Sequence, residues 1–142
     1  MHYTGDVTCL DCWEALQSEL SSQLIDVRTM PEWNFVGLPS LEGIGKRAFT
    51  IEWQQFPTMQ INTQFVDMVD HAVDATNGDR SSALYCLCRS GVRSMSAAMA
   101  LISAGYEKVY NVTEGFEGEV NANGHRGKTG GWKYEKLPWR QM

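Results

Sequence analysis

The sequence predicts an α/β domain in which a parallel sheet of about five strands is flanked by helices. Three observations carry this expectation. Short apolar runs rich in strand formers alternate with stretches of helical periodicity along the chain. At 142 residues the chain can bury roughly 68–70% of its unfolded surface in one core. Its residues are 43% hydrophobic and 20% charged, the balance of a folded globular chain rather than a disordered one. A single domain over 1–142 is expected, with a core of about 8–118 and a C-terminal insertion and closing segment over 119–142.

The elements follow in order. Thr8 with Asp11 resembles a capping box, and Cys9, Trp13, Leu16 and Leu20 then recur at helical spacing, so residues 9–20 are predicted helical. "QLIDVR" at 23–28 is a short run of strand formers, and "MPEW" turns the chain after it. Residues 37–45, rich in Gly and Pro, are expected as loop, and "AFTIEW" at 48–53 as a second strand. Asn62 is placed to cap a helix whose Phe65, Val69, Ala72 and Val73 share a face, ending at Asn77-Gly78. "ALYCLC" at 83–88 is a third strand, residues 92–104 a helix stopped by Gly105, and "KVYNV" at 108–112 a fourth strand. From Gly115 onward six of the 13 glycines fall in 28 residues, so mostly loop with short helical turns is expected there.

Composition excludes some classes of function. A net charge of −5 gives no basic face for nucleic acid or an anionic membrane. No run approaches the roughly 20 apolar residues of a membrane span. The start, "MHYTGDVTCLDCWEAL", lacks the basic and apolar regions of a secretory signal. Four cysteines in such a chain suggest thiols in a reducing cytosol rather than a disulfide framework, so a cytoplasmic location is expected.

The chemistry is expected at "CLCRSGVRSM", residues 86–95. In open α/β sheets ligands bind beyond the carboxyl ends of the strands, and Cys88 stands at such an end. A strand-to-helix turn leaves the first N–H groups of the helix unpaired, and with the helix dipole they cradle an anion. Gly91 supplies the backbone freedom that lets successive N–H groups converge. Arg89 and Arg93 add positive charge. Thiols in such a field ionise readily, and the thiolate is the nucleophile. An inert buried cysteine would sit in apolar surroundings rather than between arginines and a helix start. Two chemistries use this architecture: sulfur transfer and phosphate-ester hydrolysis.

The residues then take on a specific resemblance. "LIDVRTMPEW", "CRSGVR", "VYNVTEGFEG" and "GGWKYEKLPW" resemble the first strand and turn, the active-site loop, the last strand with its helix, and the closing segment of single-domain rhodaneses, a family of sulfurtransferases. The resemblance spans most of 8–139. In the related dual-specificity phosphatases cysteine and arginine are separated by five residues. Here four lie between Cys88 and Arg93, the shorter loop that suits a sulfur atom better than a tetrahedral phosphate.

The resemblance implies the rhodanese three-layer fold and a double displacement. Cys88 takes the outer sulfur of a donor such as thiosulfate as a persulfide, and a thiol, cyanide or protein cysteine removes it. Arg89 and Arg93 would orient the anionic donor, and the backbone of Ser90, Gly91, Val92 and their neighbours, Ser94 included, would hold the persulfide. No cofactor or metal is implied. The two arginines favour a dianion such as thiosulfate over a monocarboxylate such as mercaptopyruvate. Alternatives are a persulfide carrier or interaction module serving one protein partner and, further off, a phosphatase of the related fold. The Gly-His-Ile stretch common in the family is replaced by "VGLPSLEGIG", and 119–130 resembles an insertion whose His125 and Arg126 either reach the mouth of the site or, as is expected, belong to a solvated loop.

Other candidates are weighed as structural. Cys9-Leu10-Asp11-Cys12 is a C-x-x-C at a helix start, but no strand is evident before it, and Cys9 fits the buried stripe. Cys86 and Cys88 lack the spacing of common zinc sites with that pair. Asp26 lies beside the presumed site, and Arg28 and Glu32, four apart, fit a salt bridge across the turn. His2 and His71 are expected at the surface. Trp53, Phe56 and Met59 either rim the site or pack in the core.

Overall fold

The computed structural model describes residues 2–141. Its elements are β1 (Gly5–Val7), α1 (Cys9–Ser18), β2 (Gln23–Asp26), α2 (Met30–Phe35), β3 (Leu38–Pro39), a 3₁₀ turn (Glu42–Ile44) and β4 (Phe49–Thr50). There follow β5 (Gln54–Gln55), β6 (Gln60–Ile61), α3 (Phe65–Ala75), β7 (Ala83–Leu87), α4 (Val92–Ser103), β8 (Lys108–Val112) and β9 (Trp139–Arg140). Five strands form one sheet in the order β1-β8-β7-β2-β4, every pair parallel. The predicted fold class is the observed one.

The central strands explain why the sheet is covered on both faces. Every residue of β2 and β7 is buried, as parallel strands between two layers require. Strand alternation divides the core in two. Leu84, Cys86 and Cys88 join Ile25, Val109 and the buried faces of α3 (Phe65, Val69, Val73) and α4 (Ala97, Ala98, Leu101). Ala83, Tyr85 and Leu87 join Leu24, the buried face of α1 (Cys9, Cys12, Leu16) and the C-terminal Phe116, Trp132 and Leu137. The result is three layers.

Several boundaries differ from expectation. α1 is N-capped by Thr8, whose Oγ1 accepts from the Asp11 N–H at 3.0 Å, one of the two bonds of the predicted capping box, and it ends at Ser18, so Leu20 lies outside it and is exposed. Asn62 does not cap α3 directly. The helix begins at Phe65, and Asn62 instead accepts from the Gln64 N–H at 3.0 Å, shaping the turn before it. The 37–45 segment, expected as loop, holds β3, paired antiparallel with β9 and so tied to the closing segment. The strand over 48–53 shortens to two residues, and a small β5–β6 hairpin follows it. The fifth sheet strand is β1, which precedes the Cys9-x-x-Cys12 helix where no strand was expected.

The chain order of the sheet strands reverses between β2 and β7. β2 leads outward to β4, whereas β7 leads the other way to β8. A crevice at such a reversal, beyond the carboxyl ends of the strands, is where open α/β sheets hold their ligands. Cys88 follows the last residue of β7 directly. Among the described residues no helix is long and apolar enough to cross a membrane.

Candidate active site

The loop from Cys88 to Arg93 connects β7 to α4. Gly91 stands before the first residue of α4 with φ 107°, and its N–H donates to Cys88 Sγ at 3.1 Å. Only glycine fits here, because a Cβ would stand 2.4 Å from the Thr113 carbonyl oxygen. One turn into α4, fully buried Ser94 places Oγ 3.2 Å from the same sulfur. Its hydroxyl donates to Asn111 Oδ1 at 2.6 Å, and Asn111 Nδ2 donates to the Gly91 carbonyl at 3.1 Å. The sulfur thus rests against one backbone N–H and one hydroxyl, both held from behind by β8.

Cys88, Arg89, Ser90, Val92 and Arg93 line one pocket of about 460 Å³, together with Glu32, Gln54 and Met59. Gly91 and Ser94 lie buried beneath it. All seven predicted site residues are therefore brought together around one sulfur. Three larger cavities, of about 900, 650 and 540 Å³, lie against β4, α2 and α3 and are lined by no cysteine, so chemistry rather than size marks this site.

The charges are arranged differently from expectation. Arg28 does not pair with Glu32. It is fully buried and donates from Nε and Nη2 to the two oxygens of Asp26, at 2.9 and 2.7 Å. Nη2 also donates to the Gly37 carbonyl at 2.7 Å, and the guanidinium lies 4.2 Å over the Phe116 ring. Arg28 points inward because the interior offers it a matched carboxylate, a carbonyl and an aromatic face, which a surface bridge to Glu32 would not replace. The pair locks the turn after β2. Glu32 instead takes Arg93, which donates from Nη1 and Nη2 at 2.7 and 2.9 Å. Burial pushes the Glu32 carboxyl up, but the Arg93 guanidinium and the Thr29 N–H and hydroxyl outweigh it and hold the group at about 2. Arg93 thus faces the pocket with its charge already matched, whereas Arg89 is exposed and its side chain has no partner among the described residues.

The loop is braced from below by the segment after β8. The Phe116 N–H donates to the Cys88 carbonyl at 2.8 Å, and the Glu117 and Gly118 N–H groups donate to the Arg89 carbonyl at 3.0 and 3.1 Å. Arg126 of the 119–130 segment donates to the Gly118 carbonyl at 2.7 Å, and neither it nor exposed His125 lines the Cys88 pocket. Of the predicted apolar rim only Met59 lines the pocket. Trp53 packs edge-on against Phe65 at 5.2 Å, and Phe56 is exposed. His2 and His71 are at the surface.

The remaining thiols are set apart. Cys9 and Cys12 are fully buried on the face opposite Cys86 and Cys88, with Cys9 Sγ 3.3 Å from the Gly115 carbonyl. Burial pushes the Cys9, Cys12 and Cys86 thiols well up from their ordinary value. β1 does supply the strand before the C-x-x-C, but these surroundings are those of core thiols. Sequence reasoning missed Asn111, whose role depends on a contact between β8 and α4, and it gave Glu32 the wrong partner. The six-residue spacing from Cys88 to Ser94 was the available signal for the hydroxyl.

A three-layer parallel sheet with a cysteine loop at its topological switch point places the protein among open α/β folds whose ligand site lies beyond the carboxyl ends of the strands. Residues 10–122 match the family model of the rhodanese-like domain. The chain belongs to that family. RP600 of Rickettsia prowazekii (strain Madrid E), an uncharacterized protein, is 36% identical over 117 residues, covering 82% of this chain and 81% of the relative. The crystal structure of Rv0390 from M. tuberculosis superposes with a TM-score of 0.86 at 39% identity, covering 99% of each chain. A polysulfide-sulfur transferase homodimer from Wolinella succinogenes shares the fold at a TM-score of 0.58 and 18% identity, covering 96% of this chain and 77% of that one.

Proposed function

We propose that this protein is a sulfurtransferase that moves a sulfane sulfur from an anionic donor such as thiosulfate to a thiol or cyanide through a persulfide on Cys88. The observation that carries this reading is the seat of Cys88 Sγ, 3.1 Å from the Gly91 N–H at the floor of a pocket with Arg89 at its mouth. Membership of the rhodanese-like family supports it, and the W. succinogenes neighbour, a polysulfide-sulfur transferase, supports polysulfide as a second donor class. In the first half-reaction the Cys88 thiolate attacks the outer donor sulfur, a sulfur–sulfur bond forms, and the remainder leaves with the electron pair of the broken bond. In the second, the acceptor attacks the terminal sulfur and the Cys88 thiolate leaves. The chain acts as one domain, no cofactor or metal is needed, and four free cysteines fit a reducing compartment. Thiosulfate-dependent formation of thiocyanate tests this. Cys88→Ser abolishes it, whereas replacing Cys9, Cys12 or Cys86 leaves most of it. Activity that survives Cys88→Ser but is lost with Cys9 or Cys12 would transfer the chemistry to the C-x-x-C.

A further inference from the structure

Behind the sulfur, the Ser94 hydroxyl has two acceptors within reach and only one proton. Cys88 Sγ lies 3.2 Å from its oxygen on one side, and Asn111 Oδ1 lies 2.6 Å away on the other. The direction of that proton follows from how the Asn111 amide is turned. Asn111 Nδ2 donates to the Gly91 carbonyl at 3.1 Å, with Asp6 Oδ1 of the neighbouring strand β1 at 3.5 Å as a further acceptor. Register sets Asp6 directly opposite Asn111. With its nitrogen engaged on acceptors, the amide must present its oxygen to Ser94. The Ser94 proton therefore lies on Asn111, and Ser94 shows Cys88 its lone pairs. That arrangement suits a neutral sulfur, as in a thiol or the inner atom of a persulfide, and it opposes a thiolate.

We propose that Asn111 is a positioning residue that competes with Cys88 for the Ser94 hydroxyl, holding its proton away from Sγ while the sulfur is neutral, as thiol or persulfide, and yielding it to Sγ when Cys88 is a thiolate. This rests on the sulfurtransferase reading and adds an asymmetry between its two half-reactions. During loading the thiolate spends its electron pair on the donor sulfur, and the Ser94 hydroxyl must give up Sγ for Asn111 as the charge is lost, so a hydroxyl with no second acceptor would weaken the nucleophile. During unloading the electron pair of the Cys88–persulfide bond returns to Sγ, where a charge-assisted hydrogen bond from Ser94 stabilises the departing anion. The hydroxyl turns between two acceptors, and no proton changes owner.

The test measures the half-reactions separately, by mass analysis of quenched samples. Loading is followed after mixing with thiosulfate, and unloading after mixing loaded protein with cyanide. Ser94→Ala is expected to slow unloading about tenfold or more and loading much less, so that the protein accumulates as persulfide in steady turnover. Asn111→Leu frees the hydroxyl for the sulfur and is expected to do the opposite, slowing loading and accumulating as free thiol. Should Asn111→Leu fail to fold, Asn111→Asp keeps the acceptor for Ser94 and is expected to accumulate as persulfide like Ser94→Ala. Equal slowing of both half-reactions in the Ser94 and Asn111 variants, or wild-type persulfide occupancy in them, overturns the proposal. A wild-type protein that neither takes sulfur from thiosulfate nor passes it to cyanide overturns the sulfurtransferase reading itself.

Discussion

At the scale of single residues, the division of labour between the two loop arginines is set by Glu32. Both Nη atoms of Arg93 are occupied by the Glu32 carboxylate, which also accepts from Thr29. Arg93 therefore ties α2 to α4 across the pocket, and Arg89 is the cation left for a donor. Arg89→Ala is expected to raise the thiosulfate KM about tenfold, the size of one lost charge-assisted contact, with kcat little changed. Arg93→Ala is expected to lower kcat instead, by releasing Glu32 into the pocket mouth. The measurement is steady-state kinetics over a range of thiosulfate, and the reverse assignment of KM and kcat effects would return donor recognition to Arg93. The loop itself was legible in the sequence because one short segment carries its cysteine, glycine and both arginines. The partners of those arginines were not. Arg28 and Glu32 have the spacing of a salt bridge, but that spacing is silent about burial, which turns Arg28 back onto Asp26 two residues before it and under a Phe116 ring that arrives from elsewhere in the chain.

Among the elements, the turn after β8 matters as much as the loop it supports. Gly115 lies at φ 68°, and a Cβ there would stand 2.4 Å from the Arg89 carbonyl oxygen and 2.6 Å from that of Cys88. Backbone meets backbone, so no side chain can move aside. Gly115→Ala is expected to destabilise the fold by about 1–3 kcal/mol and to displace the loop, so that loading falls even in protein that remains folded. Denaturant unfolding and persulfide formation measured on the same sample check this, and unchanged loading would separate the brace from the chemistry. Strands β7 and β8 were readable because each is a buried or nearly buried run of strand formers whose pattern needs no partner to interpret. β1 was not. Three residues, Gly-Asp-Val, carry too little pattern, and they become a strand only because β8 offers Tyr110, Asn111 and Val112 as partners about a hundred residues away.

Across the whole molecule, alternation along the central strands decides which thiol can react. The same two-residue period that puts Cys86 and Cys88 against α3 and α4 leaves Cys9 and Cys12 to the opposite layer. Cys86 is held within the strand, and Cys88 alone emerges at the carboxyl end, where the strand order reverses and a pocket opens. The three layers were legible from the alternation of strand and helix patterns, whereas the β3–β9 clasp that closes the chain onto itself was not, since two-residue strands exist only through their pairing. The central claim is that Cys88 becomes the sulfur carrier. Intact-mass analysis of the protein after incubation with thiosulfate tests it most directly. One added sulfur atom, removed by a thiol reductant and absent from Cys88→Ser, is the predicted result; an unchanged mass in the wild type, or an added sulfur that persists in Cys88→Ser, would contradict it.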